Sequence, residues 1–238
     1  MKTIGLIGGM SWESSIEYYR IINETMKARL GGFHSAKSVM VSVDFAEIEA
    51  LQHQEKWNEA GMMMASAAQS LEHAGADFIV LCTNTMHKLA NAIQSHTSIP
   101  FLHIADATAQ RIKASQIQTV GLLGTCFTME QPFYKGRLVE HHGLTVLTPE
   151  AEDRNMIHRV IYDELCCGVV NPTSREQFKV VMQKLVAAGA EGIILGCTEI
   201  ERLVQTKDSD VMLFPTTRIH AEAAVDIALA LPEGIEDS

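Results

Sequence analysis

Cys197 and Thr83 are the residues of this chain best placed to do chemistry on a small molecule. Cys197 follows a short apolar run, Gly192–Leu195, with two β-branched residues, the pattern of a strand buried on both faces. Gly196-Cys197-Thr198-Glu199 then stands where that strand ends and a helix begins. In an open parallel sheet, ligands bind outside the carboxyl ends of the strands. A thiol there can take or give a proton. Helix-end N–H groups are expected to lower its pKa from about 8.5 and to hold a carboxylate beside it. The plain alternative is packing, since free cysteine is among the most buried residue types.

Upstream by 114 positions, Ala74–Asn84 (AGADFIVLCTN) repeats the pattern of Ala188–Glu199 (AGAEGIILGCTE). Both read small residue, Gly, small residue, acid, apolar strand, polar exit. Matched this way, Thr83 stands where Cys197 stands. Thr83-Asn84-Thr85 also reads as an ordinary helix cap. The neighbouring Cys82 must point to the opposite side of the strand from Thr83, because side chains alternate. It reads as core.

A second echo sets the elements that position these residues. Thr3–Gly8 (TIGLIG) and Thr119–Gly124 (TVGLLG) lie 116 positions apart, each a strand ending in Gly before a helical stretch. Two echoes in the same order predict two similar α/β halves. Further strands are expected at 37–43, 77–81, 99–104, 144–147, 192–195 and 211–214. Helices are expected at about 11–30, 56–74, 151–167, 174–188 and 218–230, and also after Asn84 and from about Thr128. Residues 44–52 read as a loop or short helix. Alternating strands and helices mean mostly parallel sheets flanked by helices, joined by right-handed crossovers. The domains are expected at 1–104 plus 209–238, with a C-terminal helix returning to the first half, and at 105–208.

Composition narrows the class. The 238 residues are 47% hydrophobic and carry a net charge of −10, which argues against nucleic acid or an anionic membrane surface as partner. No run approaches the roughly 18–20 apolar residues of a membrane-spanning helix. The opening MKTIGLIGG reads as a strand entering a glycine turn, unlike a signal peptide. Five cysteines, an odd number, fit a reducing cytoplasm. Neither dinucleotide nor P-loop glycine pattern occurs. Ten histidines without ligand spacing predict no metal site. Cys166-Cys167 read as core and surface, His141-His142 as solvent-facing, and Met62-Met63-Met64 as helix core.

These residues together resemble the aspartate/glutamate racemase family, amino-acid racemases that use no pyridoxal phosphate. The resemblance rests on the GLIGGM opening, on Asn84-Thr85-Met86-His87 and on the GCTE segment Gly196–Glu199. It looks closest to the branch acting on L-aspartate and L-glutamate. It implies two similar α/β domains with the site in a cleft between them, usually in a homodimer. It also implies two cysteines on opposite faces of the substrate Cα, and no cofactor. The chain keeps the second as Cys197 and has Thr83 at the first. A hydroxyl can deliver a proton but is a poor base, and in related glutamate racemases the GCTE-type cysteine faces the L enantiomer, so the resemblance implies L-to-D turnover, with Cys197 abstracting and Thr83 reprotonating. Met10, Gln52, Asn84, Thr85 and Thr198 match substrate-lining positions, and Thr125 is a further contact suggested by the repeat. The Arg or Lys that some aspartate racemases carry after the second strand is not evident in 44–48. That leaves two alternatives: a racemase or isomerase of another small acid or of a neutral amino acid, and a binding protein that has lost turnover.

Overall fold

Strands that are apolar on both faces need helices on both sides, and the intervening segments supply them. The computed structural model describes residues 1–230. Its strands are β1 Ile4–Gly8, β2 Ser38–Ser42, β3 Phe78–Leu81, β4 Phe101–Leu102, β5 Thr119–Gly124, β6 Thr145–Leu147, β7 Gly192–Gly196 and β8 Met212–Pro215. The first helices are α1 Trp12–Leu30, α2 Phe45–His53, α3 Trp57–His73, α4 Ala90–Gln94 and α5 Ile104–Ala114. They are followed by α6 Cys126–Glu130, α7 Pro132–Glu140, α8 Ala151–Arg159, α9 Pro172–Ala187, α10 Ile200–Leu203 and α11 Thr216–Leu229. Among the described residues, no helix is long and apolar enough to cross a membrane.

The chain folds as two compact units. The first holds Met1–Cys82, Leu89–Leu102 and the described chain from His220; the second holds Thr83–Lys88 and His103–Ile219. Each contains a four-stranded parallel sheet, ordered β2-β1-β3-β4 in the first and β6-β5-β7-β8 in the second. The register repeats as well. Ile4 faces Phe78 across β1 and β3, and Val120 faces Gly192 across β5 and β7, shifted along the chain by the same 116 and 114 positions as the sequence echoes. The internal repeat is therefore a repeat of topology.

In the first unit, Ile4, Leu6, Phe78 and Val80 pack against Tyr18 and Ile22 of α1 and against α11. Helix α11 contributes Ala221, Ala224, Val225 and Ala228, one face of a helix at three- and four-residue spacing. His220 fastens it. The Leu102 carbonyl can only accept, so the imidazole Nε2–H donates to it at 2.9 Å and Nδ1 accepts from the Tyr18 hydroxyl at 2.8 Å.

Several expectations are corrected. The sequence places the segment from 209 in the first domain, but β8 pairs with β7, Gly192 facing Met212, and the chain leaves the second unit only within α11. The exposed edge of β7 takes the nearest strand that can satisfy its backbone groups. Residues 231–238 of that expected range lie outside the described residues. The helix expected over 151–167 is α-helical only to Arg159. It continues as a π-helical turn, Val160–Glu164, and a 3₁₀ turn, Leu165–Cys167, which stops at Gly168 with φ of 79°. Cys166 is half-buried and Cys167 exposed. Of the methionine run, Met64 is core but Met62 is 63% exposed. His142 does not face solvent freely: its Nε2 donates to Asp106 at 2.8 Å, and Arg137 grips the same carboxylate through Nε and Nη2, both at 2.7 Å. Burial alone would raise the Asp106 pKa, but these hydrogen bonds hold it down at about 2.

Candidate active site

The second unit gathers the carboxyl ends of its strands into one cluster. Gly196 makes this possible. A Cβ there would lie 2.7 Å from the Leu123 carbonyl, and the absent side chain also lets Thr128 pack over the ends of β5 and β7. The chain then turns through Cys197, Thr198 and Glu199 into α10.

Cys197 is 9% exposed, and its thiol donates to Glu199 Oε2 at 2.9 Å. The sequence led us to expect a thiol made acidic by a helix N-terminus. The opposite holds: burial first, and then the Glu199 charge, push the Cys197 pKa well above its usual range. Helix α10 is only four residues long and starts three residues further on, so its dipole is too weak and too distant to compensate. The resting group is a neutral thiol hydrogen-bonded to a buried carboxylate. Sequence reasoning passed over Glu199, although it stands in the GCTE segment. Its place two residues from the thiol is the signal the sequence offers, since a side chain that near can turn back onto sulfur.

At the exit of β3, Thr83 is partly exposed, while Asn84, Thr85 and His87 are buried. His87 fixes this turn. Its Nε2 accepts from the Ile104 N–H at 3.1 Å, so Nδ1 carries the proton and donates to the Thr83 carbonyl at 2.7 Å. Its ring stands edge-on to His103, centroids 4.6 Å apart. The Asn84 amide nitrogen donates to Thr216 Oγ1 at 3.1 Å. Asn84 Oδ1 is buried and has no hydrogen-bond partner among the described residues. A buried acceptor left empty is costly, and a bound donor would satisfy it.

Thr85 Oγ1 lies 3.1 Å from Thr125 Oγ1. Thr125 caps α6, accepting from the Thr128 N–H at 3.3 Å. Thr198 is buried and accepts a hydrogen bond from Thr217 at 3.0 Å. Thus Thr83, Asn84, Thr85, Thr125, Cys197 and Thr198 all belong to the second unit. Met10 and Gln52 belong to the first, Met10 beside the loop that closes β1 and Gln52 in α2, and both are buried. In that loop Gly9, at φ of 98°, approaches the Val43 backbone too closely for any side chain. Thr216 and Thr217 were not foreseen. Their partners are far along the chain and leave no local pattern.

Residues 7–224 match the model of the Asp/Glu/hydantoin racemase family. A Yersinia pestis protein of known structure, provisionally described as an Asp/Glu racemase, is 56% identical, with 97% of this chain and 100% of that one covered and a TM-score of 0.92. An aspartate racemase homologue from Pyrococcus horikoshii is 32% identical over 96% of this chain and 99% of its own, with a TM-score of 0.84. The broad-specificity amino-acid racemase RacX of Bacillus subtilis is 24% identical over 176 residues, covering 73% of this chain and 74% of that protein.

Proposed function

The chain belongs to the Asp/Glu/hydantoin racemase family and is an amino-acid racemase, and on that premise we propose that Cys197 removes the Cα proton of L-aspartate or L-glutamate while Thr83 serves reprotonation from the other face. The observation that carries this reading is the thiol–carboxylate pair of Cys197 and Glu199. A thiol held neutral by burial becomes a strong base once deprotonated, and Glu199 is positioned to take its proton. The Cα proton then passes to sulfur as negative charge spreads onto the substrate carboxylate. Hydroxyls such as that of Thr198 stabilise that charge. Asn84 Oδ1 accepts from the substrate ammonium. Thr83, whose hydroxyl has no hydrogen-bond partner among the described residues, passes a proton to the carbanion and is restored from water.

The reading extends to a cytoplasmic homodimer that works without pyridoxal phosphate or metal. It is tested by incubating the protein in D2O with L-aspartate, L-glutamate and a panel of neutral L-amino acids. Cα deuteration of either acidic substrate is expected, and none with any amino acid would overturn the proposal. A second reading, a preference for neutral amino acids, has one observation in its favour. After β2, Asp44 is spent capping α2, and Ile48 is fully buried, so 44–48 offers no cation to a side-chain carboxylate. The same panel separates the two.

A further inference from the structure

The junction between β8 and α11 carries two adjacent, fully buried threonines, 0% and 1% exposed at 216 and 217, that hydrogen-bond to Asn84 and Thr198. Hydroxyl arithmetic makes their contacts directional. Thr216 has one proton, and the Leu195 carbonyl, which can only accept, takes it at 2.9 Å. Thr216 Oγ1 can therefore only accept from Asn84, so the amide must present its NH2 to Thr216. Flipping the amide would set two oxygens against each other with no proton between them. The orientation leaves Asn84 Oδ1, buried and without a partner among the described residues, as the acceptor turned away from Thr216. Thr217 acts in the opposite sense. It donates to Thr198 Oγ1 at 3.0 Å, which leaves the Thr198 proton free to be donated.

We infer that Thr216 and Thr217 are positioning residues that set the polarity of the site, making Asn84 an acceptor and Thr198 a donor. That pair matches an ammonium and a carboxylate, so the two threonines select an α-amino acid over the corresponding acid without the amino group. The inference rests on the proposed function in taking Asn84 and Thr198 as substrate contacts.

The test compares binding of matched ligands, L-aspartate with succinate and L-glutamate with glutarate, by titration calorimetry, alongside deuterium exchange. Thr216→Val should reduce the preference for the amino acid over its deamino partner by about 10-fold or more, as expected for losing a well-placed partner to a charged donor. KM should rise far more than kcat falls. Thr216→Ser, which keeps the hydroxyl, should restore the preference to within about 2-fold. If Thr216→Val leaves the preference intact, or weakens both members of each pair equally, the inference fails. Should the valine variant not fold, the wild-type protein labelled with ¹⁵N decides. The Asn84 side-chain NH2 signals, identified by their loss in Asn84→Asp, should barely move on adding succinate, because the NH2 faces Thr216 and the ligand brings no donor to Oδ1. A large shift with succinate would show the NH2 facing the ligand and overturn it. Absence of exchange in wild type with an intact amino-acid preference would overturn the racemisation proposal and leave this inference standing.

Discussion

The exits of β3 and β7 share strand order, register and sequence pattern, yet they present different chemistry. At β7 the thiol is the first residue past the strand, and it meets a carboxylate. In the register of the repeat, the thiol at β3 comes one residue earlier, where β7 has Gly196. Cys82 falls on the opposite face, fully buried in the apolar core of the first unit, where desolvation alone drives its pKa up. Thr83 takes the exit position instead. One step of strand alternation turns a cysteine from a candidate base into packing. The repeat thus preserved a scaffold while its two ends diverged.

The sharpest way to break this comparison is to exchange the thiols' expected roles. Cys197→Ser should lower Cα deuteration of L-aspartate or L-glutamate by about 10³-fold or more, because an alcohol replaces the base. Retained exchange in a folded Cys197→Ser protein would dissolve the distinction between the two exits. Next in size is Glu199→Gln. Losing the proton acceptor should cost about 10²-fold at neutral pH, with KM little changed. The variant should regain rate as pH rises, since burial, the larger cause of the raised Cys197 pKa, persists without the Glu199 charge and alkali must then supply the thiolate directly. A flat profile would remove Glu199 from the proton path.

Thr83→Cys sharpens the comparison by making the two exits alike. Wild-type protein should exchange the L enantiomer much faster than the D. The variant should raise D exchange by about 10-fold or more, with the L rate unchanged, if a thiol supplies the missing base. Equal exchange of both enantiomers in wild type, with no gain in the variant, would show that Thr83 is not the residue on the far face. The smallest effect belongs to Cys82→Ala, which should cost on the order of 1 kcal/mol of stability, measured by urea denaturation, and leave exchange intact.

Much of this was legible in the chain. The echoes TIGLIG/TVGLLG and AGADFIVLCTN/AGAEGIILGCTE located four strands and gave their pairing offsets, because buried parallel strands read as unbroken apolar runs. Alternation placed Cys82 in the core. The sequence does not show where the helix over 151–167 stops being α, because a change to π and 3₁₀ geometry alters only which carbonyl each N–H meets, and apolar spacing barely registers it. The sign of the Cys197 shift is not legible in the chain, because the sequence shows a helix start but not how short the helix is, nor that Glu199 folds back.

By itself the sequence determined the doubled α/β scaffold and the position of one thiol and one hydroxyl at equivalent strand ends. These are local matters of strand phase and glycine placement. Only the tertiary structure decided that β8 joins the second sheet, that His87 bridges the Thr83 carbonyl to the Ile104 N–H, and that Asn84 answers to a threonine 132 positions away. Hydrogen bonds between distant segments fix which atom of a side chain accepts and which donates. They arise from burial without water, and no local periodicity encodes them.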